Sequence, residues 1–185
     1  MIKDVGRVIN SQPMKMSMSD LKRQIKMDKK NWKHILTTNC YAYALGLDIP
    51  ERKIKTLAYA PGTIGSSSTN LAVQRYFTLD NLLENIQDDL LYLGIKFLEV
   101  DPLEEILPNE WKIALFTAFY SYICYEEYLY DYHFLRQDSS GIWTHKLGFF
   151  RRPTNLDNNK DVIKDPKKCS LGNYDYQLTY KLSLK

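Results

Sequence analysis

YLYDYHFLRQDSSGIWTHK, residues 128–146, is the stretch that decides the fold. It holds two runs rich in aromatic residues, separated by the turn residues DSSG at 138–141. Such runs on both sides of a glycine-containing turn are typical of a β-hairpin. The apolar run 112–123 and the alternating run 174–184 indicate further strands. We therefore expect an antiparallel sheet in the second half of the chain.

Helical signals precede this sheet. Residues 78–93 repeat leucine and isoleucine at helical spacing, between a capping Thr78 and a terminating Gly94. The segment NCYAYALG, residues 39–46, predicts a short helix with a polar cap among residues 37–39. Helices followed by an antiparallel sheet make an α+β fold.

The composition is that of a folded protein of one main domain. The chain has 185 residues, of which 44% are hydrophobic, enough for a sizeable core. Its net charge of +3 gives no reason to expect nucleic acid as a partner. We find neither a secretory leader nor an apolar run of roughly 18 residues, so we expect a cytoplasmic protein without a membrane span.

The N-terminal 36 residues differ in character from the rest. Between Lys15 and Lys33 lie seven basic and two acidic residues, and the helical signal there is weak. We interpret residues 1–36 as a basic helical extension and residues 37–185 as the main domain. A solvated helix face explains this charge asymmetry, and an anionic partner is the alternative.

Two of the three histidines lie in the hairpin. His133 and His145 occupy its two arms, and a turn centred near Ser139 would pair them directly. The two imidazoles would then share one sheet face, with Cβ atoms within roughly 5 Å. A slip of one residue would separate them onto opposite faces.

The cysteine at the start of the short helix is the candidate nucleophile. A thiolate at a helix N-terminus gains from the dipole and from free backbone N–H groups. If this helix packs on the sheet, Cys40 meets His133, which accepts the thiol proton and gives a thiolate–imidazolium pair. His145 would then hold His133 in one orientation. This is the nucleophile–base–orienter arrangement of thiol hydrolases.

Further residues are candidates for the surroundings of this site. The backbone N–H of Cys40 and a second donor, from Asn39 or the main chain after Gly62, would stabilise an oxyanion. Gly62 would also lie in the substrate cleft. Asn155 and Asp157 either cap a turn or line the cleft, and in the second case either can replace the second histidine as orienter.

Other reactive or aromatic side chains have simpler interpretations. Trp143 is expected to pack in the core or pair across the hairpin, with substrate stacking in the cleft as the alternative. Cys124 lies in an apolar run and is expected to be buried. Cys169 lies in a lysine-rich loop without an evident base, and His34 is expected to pack beside Trp32.

Cysteine and two histidines also suggest zinc, with an open fourth coordination position. The sequence offers no short ligand pair and no evident fourth ligand. The three cysteines are irregularly spaced and form no C-x-x-C motif. We therefore expect no metal, no cofactor and no disulfide framework.

The ordered motifs resemble those of a known superfamily. A cysteine opening a helix, a sheet behind it and a downstream histidine pair resemble the papain-like superfamily in its NlpC/P60 and CHAP branches. A bacterial and phage group is closer, with NCY, PG, a histidine-to-histidine hairpin motif and TNLD in this order. Here these are residues 39–41, 61–62, 133–146 (HFLRQDSSGIWTHK) and 154–157. The resemblance covers roughly residues 38–183.

The resemblance implies a papain-like fold, with N-terminal helices packed on an antiparallel sheet, and a Cys40–His133–His145 triad. Two departures stand out. Leu147 precedes Gly148 where the group has proline, and the first 36 residues match no part of the pattern.

The leading functional hypothesis is a peptidase, amidase or deamidase that cleaves an amide through an acyl-thioenzyme. Its substrate would be a peptide or protein amide, and the protein is cytoplasmic or delivered to a target cell. The alternative is a catalytically inactive papain-like binding protein that contacts an anionic or protein partner through its basic N-terminal segment. The sequence does not define the oligomeric state.

Overall fold

The computed structural model describes residues 25, 32, 35–48, 60–64, 78–121, 128–148 and 150–184. The described chain forms helices and strands in the predicted order. The elements are α1 (Cys40–Leu45), α2 (Leu79–Leu93), β1 (Ile95–Glu99), β2 (Glu110–Ser121), β3 (Tyr128–Gln137), β4 (Trp143–His145) and β5 (Asp175–Leu184). The strands form one sheet in the order β1-β5-β2-β3-β4, and all neighbours are antiparallel. The α+β prediction is thereby confirmed.

Helix α2 forms where the leucine periodicity predicts it. The Thr78 side chain accepts a hydrogen bond from the N–H of Asn81, and Gly94 ends the helix with φ 69°. The side chains that pack on the sheet are Leu82, Ile86, Leu90 and Leu93, all fully buried. The apolar stripe therefore fixes which side of α2 meets the sheet.

The sheet has two covered faces. The helical face is packed against α1 and α2 and carries Trp111 of β2 and Phe134 of β3. The loop face carries the second core, formed with residues that follow β4. Its buried members are Ala114, Phe116, Leu135, Trp143, Ile163 and Leu171. Since side chains alternate along a strand, Phe134 and Leu135 belong to opposite faces.

The hairpin turn is centred one residue later in the chain than the sequence predicted. Gly141, with φ 73°, donates its N–H to the carbonyl of Asp138 at 2.9 Å, and His145 pairs with Leu135. The predicted direct pairing of His133 with His145 is wrong by two residues along β3. A shift of two preserves the face, so both imidazoles still lie on the loop face.

Strand β4 is short, with three residues. It ends at His145, where the outer edge bonds to Thr154 instead of a further strand. The chain then turns at Gly148, with φ 75°.

The C-terminal end of α1 is anchored from the sheet. The carbonyl of Ala44 accepts hydrogen bonds from Trp111 Nε1 at 3.2 Å and Arg136 Nη1 at 2.8 Å. Trp32 packs edge-on against Tyr43, with ring centroids 5.3 Å apart. Ile25 forms an isolated antiparallel bridge with Leu47, and Ile35–Thr37 form a short 3-10 helix. The rest of the predicted N-terminal extension lies outside the described residues, so its helical character stays untested. Across the part of the chain that is described, neither helix has the length and apolarity needed to cross a membrane.

Candidate active site

Helix α1 brings Cys40 to the sheet. The helix has six residues, and Asn39 caps it by accepting the N–H of Ala42 on Oδ1 at 2.8 Å. Gly46 closes the other end with φ 81°. The carboxamide oxygen of Asn39 therefore caps the helix, which is one of the two roles predicted for this residue. A helix this short also carries less dipole than the thiolate argument assumed.

The thiol of Cys40 lies at the open edge of β3. His145 directs its N–H and carbonyl to Thr154, so in the antiparallel ladder the N–H of Phe134 points towards the β4 side. Because β4 ends at His145, the position opposite Phe134 is left to the thiol, and this N–H interacts with it. Phe134 directly follows His133. One peptide unit therefore separates the thiol from the backbone of the predicted base.

The two histidines form a hydrogen-bonded pair. His133 Nε2 lies 2.8 Å from His145 Nδ1, and the rings are nearly perpendicular, with centroids 5.1 Å apart. His145 Nε2 lies 2.9 Å from the carbonyl oxygen of Leu156. Their residues are 8% and 1% exposed, respectively.

The Leu156 carbonyl sets the tautomers of both rings. A carbonyl only accepts, so His145 carries its proton on Nε2. In a neutral ring Nδ1 then has a lone pair, and it accepts the proton that His133 carries on Nε2. The remaining lone pair is on His133 Nδ1. The pair is thus a directed relay whose one basic nitrogen is that of His133.

Burial determines the charge state of this site. It raises the pKa of Cys40 to about 12; the N–H of Phe134 opposes this increase, and the Asp131 carboxylate adds to it. Burial lowers the pKa of His133 to about 3, and His145 adds to this decrease. The resting pair is therefore neutral thiol and neutral imidazole. This corrects the expected thiolate–imidazolium pair, because desolvation disfavours both charges.

The expected contact between the Cys40 thiol and the His133 imidazole is not formed, because the two side chains lie on different faces of the sheet. The imidazoles project from the loop face, whereas α1 packs on the helical face. Over the described residues, no hydrogen bond links Cys40 Sγ to either ring. Catalytic contacts in unliganded sites are often long and tighten only when substrate binds.

The TNLD segment supplies a backbone group, not a side chain, to the site. The orienting oxygen belongs to Leu156, which the sequence did not single out. The Asp157 carboxylate accepts backbone N–H groups of Asn159, Asp161 and Ser170 at 2.9–3.0 Å. These bonds, the one from Ser170 above all, hold the pKa of Asp157 below its usual range. Asp157 therefore has the turn-capping role and fixes the loop that carries the Leu156 carbonyl.

Of the three residues considered as orienter, His145 is the one hydrogen-bonded to His133. The backbone carbonyl of Asn155 accepts the N–H of Ile163 at 2.8 Å, which closes the same loop. Both residues are half-buried. Asp157 also interacts electrostatically with His145 and opposes the decrease that burial causes in the pKa of that histidine.

The two residues assigned to the substrate cleft have structural roles. Gly62 adopts φ 86° and donates its N–H to Asp89 Oδ2 at 2.7 Å, and a Cβ there would lie 2.5 Å from Asn85 Oδ1. Asp89 also accepts Tyr41 Oη at 3.0 Å. Gly62 therefore holds a loop against α2 and Tyr41. Trp143 is fully buried in the second core, so it cannot stack on a substrate.

The remaining candidates are not part of the relay. Cys169 Sγ lies 3.3 Å from the carbonyl of Pro166, and burial raises its pKa to about 11. His34 and Cys124 lie outside the described residues. Three of the four imidazole nitrogens of His133 and His145 form hydrogen bonds, so they are not available as zinc ligands in this arrangement. Within the described ranges, no group of three metal-binding side chains occurs.

Comparisons with family models, curated proteins and solved structures gave no significant match. The functional argument therefore depends on the geometry of the relay and of the thiol beside it.

Proposed function

We propose that this protein is a thiol hydrolase that cleaves an amide through an acyl-thioenzyme. In this proposal Cys40 is the nucleophile, His133 the general base and His145 the positioning residue. The single observation that supports it most is the directed relay from the Leu156 carbonyl through His145, which leaves the one lone pair on His133 Nδ1. The thiol lies beside the N–H of Phe134, one peptide unit from the backbone of His133.

Because the resting pair is neutral, the thiol in this proposal loses its proton during the attack and not before it. As the sulfur attacks the amide carbon, its proton passes to His133 Nδ1, and the Nε2–H bond to His145 stabilises the imidazolium. The proton then passes to the leaving amine as the carbon–nitrogen bond breaks. A water molecule attacks the thioester, gives a proton to Nδ1, and the acid departs as the thiol is restored. The N–H groups of Cys40 and Tyr41, which interact with the thiol, are the nearest donors for the oxyanion.

A papain-like fold for residues 37–185 belongs to the same proposal. Its support is the order of the elements, with a cysteine-bearing helix before an antiparallel sheet and two histidines on neighbouring strands. The histidine-to-histidine motif gives the more specific resemblance.

Acetyl transfer from p-nitrophenyl acetate tests the chemistry without knowledge of the natural substrate. The ester bond breaks, a thioester forms and p-nitrophenol leaves, so intact mass and peptide mapping report the acetylated residue. We expect acetylation at Cys40, absent in Cys40→Ala and slowed at least tenfold in His133→Gln. The matched control, Cys169→Ala, removes another partly buried thiol and should leave the rate unchanged. Equal acetylation of Cys40 with and without the His133 imidazole would refute the proposal.

A binding protein without catalysis is the second candidate. The near-complete burial of both imidazoles and the raised pKa of Cys40 favour it. Its partner would be a protein or an anion that contacts the basic segment between Lys15 and Lys33. Contacts with phosphates weaken steeply between about 50 and 200 mM salt, so a flat salt response would exclude the phosphate version.

A further inference from the structure

Lys146 is a buried lysine that the relay does not use. Its side chain is fully buried, and Nζ donates to the carbonyls of Leu36, at 3.4 Å, and Gly148. In the regions that the structure describes, no carboxylate forms an ion pair with it. A buried ammonium held only by carbonyls is costly to desolvate, so a nearby anion would stabilise it strongly.

Strand alternation places the Lys146 side chain on the face of the sheet that packs against α1. Thr144 lies on the helical face, where its hydroxyl is 2.7 Å from Tyr43 Oη of α1. Lys146 lies two residues further along and therefore points to the same side. Its acceptor Leu36 is four residues before Cys40 in the chain. The side chain thus extends towards the end of α1 at which Cys40 lies.

We infer that the Lys146 ammonium is the fixed positive charge that stabilises the anionic form of the Cys40 sulfur. This inference rests on the proposed thiol chemistry and adds an electrostatic partner to it. The sulfur becomes negative when its proton moves to His133 and again when the thioester is hydrolysed. At both moments Lys146 faces it from the helical face, while the relay acts from the loop face.

The other ionisable groups around the thiol do not supply this charge. On β3, the Asp131 carboxylate opposes the negative sulfur, and burial raises the pKa of Tyr132 so that its phenol stays neutral. On α1 itself, Tyr41 donates its hydroxyl to Asp89. The two histidines are neutral at rest. Among the described residues, Lys146 is the cation that interacts with Cys40.

The charge on Lys146 is pH-dependent in a useful range. Burial lowers the pKa of Lys146 to about 8, and Cys40 opposes this decrease. Lys146 is therefore protonated at neutral pH and loses its charge as the pH rises through about 8. Stabilisation of the anionic sulfur should decrease over the same interval.

Site-resolved alkylation with iodoacetamide between pH 6 and 10 tests the inference on the full chain. In Lys146→Met we expect alkylation of Cys40 at pH 7.5 to slow about tenfold, and the difference from the wild type to shrink above about pH 8, where Lys146 loses its own charge. Lys146→Arg keeps a cation and should retain most of the wild-type rate. An unchanged profile in a folded Lys146→Met variant overturns the inference.

Lys112→Met is the matched control. Lys112 is another buried lysine that donates to backbone carbonyls, those of Pro102 and Glu104. It lies on the loop face over Trp143, on the opposite side of the sheet from α1. Its removal should destabilise the fold without changing the alkylation profile of Cys40. An equal shift in both variants would mean that lost stability, rather than lost charge, is the cause.

Reciprocal coupling provides a measurement if Lys146→Met does not fold. NMR titration of the Lys146 Nζ group should give a higher pKa in Cys40→Asp, which places a carboxylate at this position, than in the wild type, whose thiol is neutral there, because coupling is mutual. An identical titration overturns the inference. If these tests of Lys146 fail while Cys40 is still acetylated with the help of His133, the role of Lys146 is rejected and the proposed function stands. If Cys40 is not acetylated at all, the proposed function is rejected.

Discussion

Replacing His145 by alanine tests the direction of the relay. The change removes the acceptor of His133 Nε2–H, at 2.8 Å in a site where the two residues are 8% and 1% exposed. Leaving a buried donor without a partner costs about 1–3 kcal/mol. His133 can reduce this cost by changing tautomer or rotating, and both changes remove the lone pair from Nδ1. We therefore expect acetylation of Cys40 to slow by roughly 10- to 100-fold.

The assay compares the acetylation rate of Cys40 with the free energy of unfolding in urea. Trp143→Phe is the matched control, because Trp143 lies on the same strand and face, two residues earlier, and is fully buried. It should lose about 1–3 kcal/mol of stability without a change in rate. His145→Gln restores an acceptor and should recover part of the activity. If folded His145→Ala reacts as fast as Trp143→Phe, the relay does not position the base.

Three further predictions concern pH, packing and the loop. The pKa of His133 is about 3 in the folded chain and 6.5 in the reference state, so the unfolded chain binds more protons below pH 6.5. The free energy of unfolding in urea should therefore fall as the pH drops below 6.5, and His133→Leu should show a smaller pH dependence. Gly62→Ala should lose about 1–3 kcal/mol on urea unfolding, since it combines φ 86° with a clash at Asn85; wild-type stability would contradict this. Asp157→Ala should slow Cys40 acetylation with little change in α2, measured by amide exchange, because it releases the loop that carries the Leu156 carbonyl; an unchanged rate would separate the loop from the relay.

The elements that periodicity defines could be predicted from the sequence. Helix α2 follows its leucine stripe, and the two histidines share a face because strand side chains alternate with a period of two. Their pairing register was wrong because Asp138 begins the turn and accepts both the N–H and the hydroxyl of Ser140. Such local bonds move the centre of a turn by one residue without changing its composition.

The charge state and the orienting oxygen could not be predicted in the same way. The Leu156 oxygen is a backbone carbonyl, and every residue has one, so no residue type marks it. The neutral state of Cys40 follows from desolvation, which depends on packing between segments far apart in the sequence. The signal that Lys146 offered was its position directly after His145, where alternation alone predicts that it faces the opposite side.

The early end of β4 has a consequence for the reactivity of Cys40. One more ladder pair beyond His145 would place a main-chain oxygen against the N–H of Phe134 and displace the sulfur from the edge. A substitution that straightens the chain at Gly148 would thus displace the Cys40 sulfur from the edge of β3, while every proposed catalytic side chain remained. In the proposed mechanism, reactivity is therefore lost through a change in strand length alone, even though Cys40, His133 and His145 are all still present.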